Sequence, residues 1–126
     1  MNMNVNIIEK PKKNIKYEIK VRNPEDVMTI EDVHEILNAM REHLLFLGLD
    51  RRNNLRNVSL LGIGSSCDLL IDSKEIVRMA LFSASDRVIL VHNHPSNSLE
   101  PSPSDLHLTN STKNILKVYN IELVDH

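Results

Sequence analysis

Two histidines separated by one residue, His92 and His94, have the strongest potential for metal chemistry in this sequence. On an extended segment alternate side chains point to the same side, so both imidazoles can face one point. Pro95 stiffens the backbone directly after them and lowers the entropic cost of holding the pair. A catalytic zinc ion takes three protein ligands, and a carboxylate oxygen is an acceptable third. Asp105 follows one loop later, so these residue types predict a His₂Asp zinc site.

Each half of this pattern also has a purely structural interpretation. A His-x-His pair alone is a weak sign of a metal site. The segment from Ser102 to Asp105 is by itself a helix N-terminus, with Ser102 as the cap and Asp105 in the first turn, where a carboxylate suits the helix dipole. The interpretation as a metal site depends on the whole pattern: a buried strand, His-x-His-Pro, seven residues between His94 and Ser102, and then Ser-x-x-Asp.

Apolar runs are the elements that would position these side chains. Residues 88–91 predict a short buried strand that leads directly to His92. Residues 43–50, followed by Arg-Arg-Asn-Asn, predict a second buried strand that ends in a turn, and residues 58–63 are its expected antiparallel return. After a Pro/Ser loop, a helix is expected to begin within residues 102–104.

The segments before and between these runs predict further elements. Apolar and charged residues alternate over residues 15–21, which predicts a half-buried strand. Asn23 and Pro24 are a good helix start, and this helix is expected to reach roughly residue 41. Residues 69–71 are expected to be extended. The other predicted elements are a helix capped by Asp72 or Ser73, with Ile76, Val77, Ala80, Leu81 and Ala84 on one face, and a strand at residues 121–124 after a helix end at Asn120.

The chain is expected to form one domain. Residues 1–14 are polar and unpatterned and are interpreted as a flexible lead-in, with residues 15–126 as the domain. Helices and strands alternate without a regular βαβ rhythm, which favours an α+β domain with a mostly antiparallel sheet.

Composition excludes several classes of protein. The net charge of −2 and the small number of aromatic residues argue against a surface for phosphate backbones or stacked bases. No apolar run approaches the ~20 residues of a membrane-spanning helix, so no membrane partner is expected. The first residues are not typical of a secretory signal, and Cys67 is the only cysteine, so a cytoplasmic location is expected.

At this point the sequence resembles a known family. The segments His92-Asn-His-Pro-Ser and Ser102-Pro-Ser-Asp105 resemble the JAMM (MPN+) metalloprotease motif. Their surroundings are similar to the RadC-like JAB domain family of bacteria, which is traditionally labelled as DNA repair proteins. The similar segments are residues 23–27, 41–43, 76–80, 88–96 and 121–126, and the resemblance covers roughly residues 21 to 126. It implies an α/β fold, a cytidine-deaminase-like α/β/α sandwich with a mixed sheet.

The resemblance also implies roles for single residues. His92, His94 and Asp105 would bind Zn²⁺, which would lower the pKa of a bound water to ~7. Ser102 would donate a hydrogen bond to the developing oxyanion. Glu42 would be the general base, because it opens the strand at residues 43–50 as the family glutamate does. The alternative for Glu42 is an exposed charge at a strand edge.

The sequence departs from the family pattern in three places. Asn97 stands where the family usually has glycine, and the loop at residues 64–68 differs from the commoner turn. The chain ends at His126, where family members usually continue, so the domain is expected to lack the family's C-terminal end. The sheet edge left unpaired would invite a homodimer. Cys67 and His126 are assigned no chemistry.

Three functions remain open at this level. The first is a zinc-dependent metallopeptidase or isopeptidase that acts on a peptide or protein substrate. The second is a DNA-repair-associated protein that binds nucleic acid, as the family label suggests. The third is a non-catalytic MPN interaction module. The complete set of His₂Asp and Glu42 favours the enzyme, since a scaffold has no need of all four side chains.

Overall fold

The computed structural model of the chain describes residues 19–37, 39–63, 72–93 and 103–125, without the side chains of residues 63, 103–105 and 125. Within these residues helices and strands alternate in an irregular order. In chain order they are α1 (Pro24–Val27), α2 (Glu31–Leu37), β1 (His43–Leu49), β2 (Leu55–Ile63), α3 (Ser73–Phe82), β3 (Arg87–His92), α4 (Pro103–Val118) and β4 (Glu122–Asp125).

The four described strands form one mixed sheet in the order β2-β1-β3-β4. β1 pairs antiparallel with both β2 and β3, whereas β3 pairs parallel with β4. The expectation of a mixed α/β domain is therefore confirmed at this level. The strands predicted from residues 43–50, 58–63, 88–91 and 121–124 are all present, and β2 begins three residues earlier than predicted.

The central strand β1 is buried on both faces, which explains its nearly continuous apolar sequence. Leu45, Leu47 and Leu49 face one hydrophobic cluster, whose other members include Val33 and Ile36 of α2. Leu44 and Phe46 face the opposite cluster, in which Ile76, Met79 and Ala80 of α3 and Leu116 of α4 are buried. Helices therefore contribute to the hydrophobic clusters on both faces of the sheet.

The single helix predicted from Pro24 to about residue 41 is wrong, because it is interrupted after Val27. The cap itself is as expected, since Asn23 Oδ1 accepts from the backbone N–H of Asp26. The Thr29 hydroxyl then donates to the carbonyl of Asp26 at 2.7 Å, and the N–H of Ile30 bonds to Val27 instead. Such local side-chain bonds compete with helix propagation. After the break a separate helix, α2, begins, and Ile30 just before it and Val33 within it are buried.

α3 and α4 end with the same geometry. Ala84 and Asn120 have positive φ values of 51° and 57°, and the next backbone N–H bonds back to Ala80 and Leu116 respectively. A left-handed residue after the last turn is a common helix stop. The predicted buried face of α3 is therefore only partly right: Ile76 and Ala80 are buried, but Ala84 lies beyond the helix.

Two predicted elements lie wholly or partly outside the described residues. Residues 69–71 lie outside the described residues. Of residues 15–21 only the last three are described, and there Lys20 forms an isolated antiparallel bridge with Asn54. Within the described part of the chain, the helices are too short or too polar to cross a membrane.

Candidate active site

The ends of two neighbouring strands bring the first two predicted site residues together. In the antiparallel pair of β1 and β3, Leu44 lies opposite His92. Glu42 is two residues before Leu44, and alternate residues of an extended chain share a face. Glu42 and His92 therefore point to the same side of the sheet as Leu44 and Leu90, which is the side that α3 and α4 cover.

The Glu42 carboxylate lies beside the His92 imidazole. Glu42 Oε1 is 3.9 Å from His92 Nε2, and the two side chains are only 14% and 8% exposed. The alternative of an exposed strand-edge charge for Glu42 is therefore wrong. A carboxylate with little access to water interacts more strongly with a neighbouring cation or proton than a solvated one does. In this pair the carboxylate is a group that can transfer a proton, and the imidazole is a group that can bind a metal ion.

The backbone that carries Glu42 is held by the residue after His92. The His43 N–H donates to Asn93 Oδ1 at 2.6 Å, and Asn93 Nδ2 donates to the carbonyls of Arg41 and Ala39 at 3.0 and 3.3 Å. The Asn93 side chain is buried. The segment between α2 and β1 is thus attached to the end of β3 by one amide group.

His43 adds a further bond to the same segment. Its Nδ1 lies 2.8 Å from the carbonyl of Arg41. Because a carbonyl only accepts, Nδ1 carries the proton in this contact. His43 therefore helps to hold the segment that carries Glu42. His34 and His107 are exposed on their helices.

The other predicted site residues lie partly or wholly outside the described residues. His94 and Ser102 are not described, and the same holds for Asn97 and Cys67. The backbone of Asp105 is in the first turn of α4, as predicted, but its side chain is not described. Among the described side chains no group of three or more His, Cys, Asp or Glu could hold a metal ion. The predicted ligand set of His92, His94 and Asp105 therefore stays a prediction.

Sequence reasoning missed Asn93. The sequence patterns give no role to this residue between the two histidines. A polar amide directly after a buried strand was the available signal, since asparagine readily bonds to backbone groups where a ladder of backbone hydrogen bonds ends.

Comparison with known proteins shows the family of the chain. Residues 21–126 match the RadC-like JAB domain. The chain is 33% identical over 105 residues to a UPF0758 protein of Pelodictyon phaeoclathratiforme, covering 79% of this chain and 47% of that protein. It is 36% identical over 92 residues to a UPF0758 protein of Synechocystis, covering 73% and 38%. A UPF0758 protein of Methanosarcina mazei is 30% identical over 119 residues, covering 94% and 49%.

The structure is a mixed α/β domain, and the family match shows that the chain belongs to the RadC-like JAB domain family. The chain spans about half the length of the curated relatives it matches.

Proposed function

We propose that this domain is a zinc-dependent hydrolase of the JAMM type, a metallopeptidase or isopeptidase. The observation that carries the proposal is the little-exposed Glu42–His92 pair, with Oε1 and Nε2 separated by 3.9 Å. Membership of the JAB domain family supports it. A carboxylate with little access to water beside a histidine supports the proposal, because such pairs of ionisable groups are frequent at functional sites.

The donor set fits a zinc ion in its chemistry. Imidazole nitrogen and carboxylate oxygen are both good zinc ligands, and His92 offers an inward-facing ring at the end of a rigid strand. His94 and Asp105 are the proposed second and third ligands. Zinc bound there would lower the pKa of a coordinated water to about 7 and so supply a nucleophile at neutral pH.

The protein's own residues then have separate tasks. Glu42 accepts a proton from the attacking water and returns it to the leaving amine, and its low exposure keeps competing water away from the carboxylate. Ser102 donates a hydrogen bond to the oxyanion that develops on the scissile carbonyl. The substrate in this proposal is a peptide or protein, and the setting is the cytoplasm.

The finer expectations on fold and partners remain predictions. The cytidine-deaminase-like α/β/α sandwich agrees with helices on both faces of the sheet. Nucleic-acid binding receives no support from the described basic residues at the far end of β1. Arg56 pairs with Asp50 at 3.1 Å and the exposed Arg51 lies 3.7 Å from Asp86, so each of these arginines has an acidic neighbour. We therefore propose no second function.

Metal analysis tests the zinc site. Purified protein is expected to hold about one zinc ion per chain, and His92→Ala and Asp105→Ala are expected to lose it. Asp72→Ala is the matched control, because Asp72 is also a carboxylate at a helix start, where it caps α3. Zinc-free parent protein, or equal zinc in the Asp105→Ala variant, would overturn the site.

Hydrolysis tests the activity. Quenched fluorescent peptides with either an α-peptide or a lysine isopeptide bond are incubated with the zinc-loaded protein and with its Glu42→Gln variant. The expected result is cleavage that depends on both zinc and Glu42. Zinc binding without any Glu42-dependent cleavage would overturn the hydrolase and leave a metal-binding interaction module.

A further inference from the structure

We propose that Asn93 is a positioning residue for Glu42: its side-chain amide fixes the backbone on both sides of the glutamate and so holds the carboxylate against His92. The inference rests on the proposed function, in which Glu42 is the general base. The local geometry on which it depends belongs to the described chain and does not require a bound metal.

The hydrogen bonds place Asn93 where the sheet stops. The β1–β3 pairing ends at Leu44 and His92, so His43 and Asn93 are the next residues in register. At that point the Asn93 Oδ1 accepts the His43 N–H at 2.6 Å. The side-chain carbonyl replaces the backbone carbonyl that would accept this bond in a longer strand pair. It therefore extends the hydrogen bonding between β1 and β3 by one residue.

The same amide also binds the chain on the other side of Glu42. Its Nδ2 donates to the Arg41 carbonyl at 3.0 Å and to the Ala39 carbonyl at 3.3 Å. The groups immediately before and after Glu42, Arg41 C=O and His43 N–H, are therefore both bonded to one side chain. With both flanking peptide units fixed, the Cα of Glu42 has little freedom relative to β3.

Only an amide of this length satisfies all three contacts. Asparagine offers one acceptor and two donor hydrogens on the same short side chain. Aspartate would keep an acceptor for His43 but lose both donors and place a buried charge against two carbonyls. Leucine would fill the space without offering a partner to any of the three backbone groups, of which the Arg41 carbonyl would keep its bond from His43 Nδ1.

The position of Asn93 in the chain separates two tasks. Its neighbour His92 presents its ring to the α3 and α4 side of the sheet, while Asn93 turns the other way to the segment before β1. A displacement of the strand end therefore moves His92 and Glu42 together. The Asn93 bonds therefore help to fix the backbone positions from which the Glu42 carboxylate and the His92 imidazole approach each other to 3.9 Å.

Amide hydrogen exchange measured by NMR on the full chain without added metal is the first test. The measured quantity is the His43 exchange ratio, which is the exchange rate of the His43 N–H divided by that of the Phe46 N–H in the middle of the same strand. In Asn93→Ala this ratio is expected to rise at least about tenfold. Asn54→Ala is the control. Asn54 is also a buried asparagine beside a turn that flanks β1, and its Nδ2 bonds Asp50 at 2.9 Å. This control is expected to leave the His43 ratio within about twofold of the parent value. An unchanged ratio in Asn93→Ala overturns the proposal.

Catalytic coupling is the second test, with a quenched fluorescent peptide that the zinc-loaded parent cleaves. Asn93→Ala is expected to lower kcat about 10–100-fold, with KM and the zinc dissociation constant within about threefold of the parent values. In a Glu42→Gln background the same substitution is expected to change the residual kcat less than about threefold. An equal loss in both backgrounds, or a fall in zinc affinity that matches the fall in kcat, means that Asn93 does not act through Glu42.

The two tests separate this inference from the proposed function. If no peptide is cleaved but the His43 exchange ratio rises in Asn93→Ala, the proposed hydrolase is wrong, and Asn93 still fixes the backbone around Glu42. If peptide is cleaved and neither the exchange ratio nor kcat responds, the hydrolase stands and the role of Asn93 is wrong.

Discussion

Leu44 lies directly opposite His92 in the antiparallel pair of β1 and β3. This register sets the geometry of the candidate site, because Glu42 precedes Leu44 by two residues and so shares its face of the sheet. A shift of one residue would turn either Glu42 or His92 to the other face. The buried side chains of β1, which alternate between two hydrophobic clusters, make such a shift costly.

The base assignment predicts a specific outcome for Glu42→Gln. The amide keeps the shape of the carboxylate but cannot accept the proton, so hydrolysis is expected to fall about 10²–10⁴-fold. Zinc content is expected to stay at the parent level, since Glu42 is not one of the proposed ligands. Metal analysis and peptide cleavage on the same preparation check both points. A variant that loses its zinc would make Glu42 a ligand rather than a base.

The turn between β1 and β2 is expected to make stability depend on pH in acid. Asp50 accepts hydrogen bonds from Asn54, from the Arg52 N–H and from Arg56, and those to the Asn54 side chain and backbone contribute most to lowering its pKa. A carboxyl whose pKa is lower in the folded chain stabilises the fold above its unfolded pKa, which is about 4. That stabilisation is lost as the pH falls below this value.

Thermal unfolding of Asp50→Asn checks the acid dependence. The variant is expected to have a lower Tm than the parent at pH 6, and the difference is expected to shrink steadily below about pH 4. Asp86→Asn is the control, because its pair with Arg51 is exposed and such pairs contribute little. A Tm difference for Asp50→Asn that stays constant from pH 6 to pH 2 would contradict the role of the charge.

Gly48 is expected to tolerate no side chain. A Cβ at this position would collide with the Ser85 hydroxyl and come within 3.0 Å of the Phe46 ring. Gly48→Ala is expected to cost about 1–3 kcal/mol in the free energy of unfolding, measured with urea. In a Ser85→Ala background the cost is expected to be smaller, because the Oγ is gone. Equal costs in the two backgrounds would show that the hydroxyl is not the obstacle.

Ala84 offers the opposite case, a substitution that is expected to stabilise the protein. Its φ of 51° is in the left-handed region, which costs an alanine roughly 1–2 kcal/mol and a glycine almost nothing. Ala84→Gly is expected to raise the free energy of unfolding by about 0.5–1 kcal/mol after the extra flexibility of the unfolded chain is subtracted. Asn120→Gly, at the equivalent stop of α4, is expected to gain less, since asparagine tolerates this geometry.

Much of the fold could be predicted because its signals are local. The buried strands β1 and β3 follow from apolar runs, and Asn23 and Asp72 cap helices as expected. The break after Val27 could not be predicted from apolar spacing, because it depends on the bond from the Thr29 hydroxyl to the Asp26 carbonyl. The parallel pairing of β4 with β3 likewise depends on the packing of α4 rather than on any pattern within residues 121–124.

The candidate site was predictable to a different degree for each residue. The family resemblance predicts Glu42 at the opening of a strand, and Glu42 lies beside His92 in the structure. The support from Asn93 was not predictable, since it depends on where the β1–β3 ladder ends and on three backbone groups up to 54 residues away. Residue types, spacing and the family resemblance point to the groups that are proposed to react, whereas the group that holds Glu42 emerges only from the register of β1 and β3.

The pairing of β1 with β3 also has a consequence for folding. His43 and Asn93 are 50 residues apart in sequence, so closing that contact carries the entropic cost of a long loop and belongs to the slower steps of assembly. A partly folded chain, such as one still emerging from a ribosome, would lack the Glu42–His92 pair entirely. The proposed hydrolase would therefore stay inert until β1 and β3 have paired.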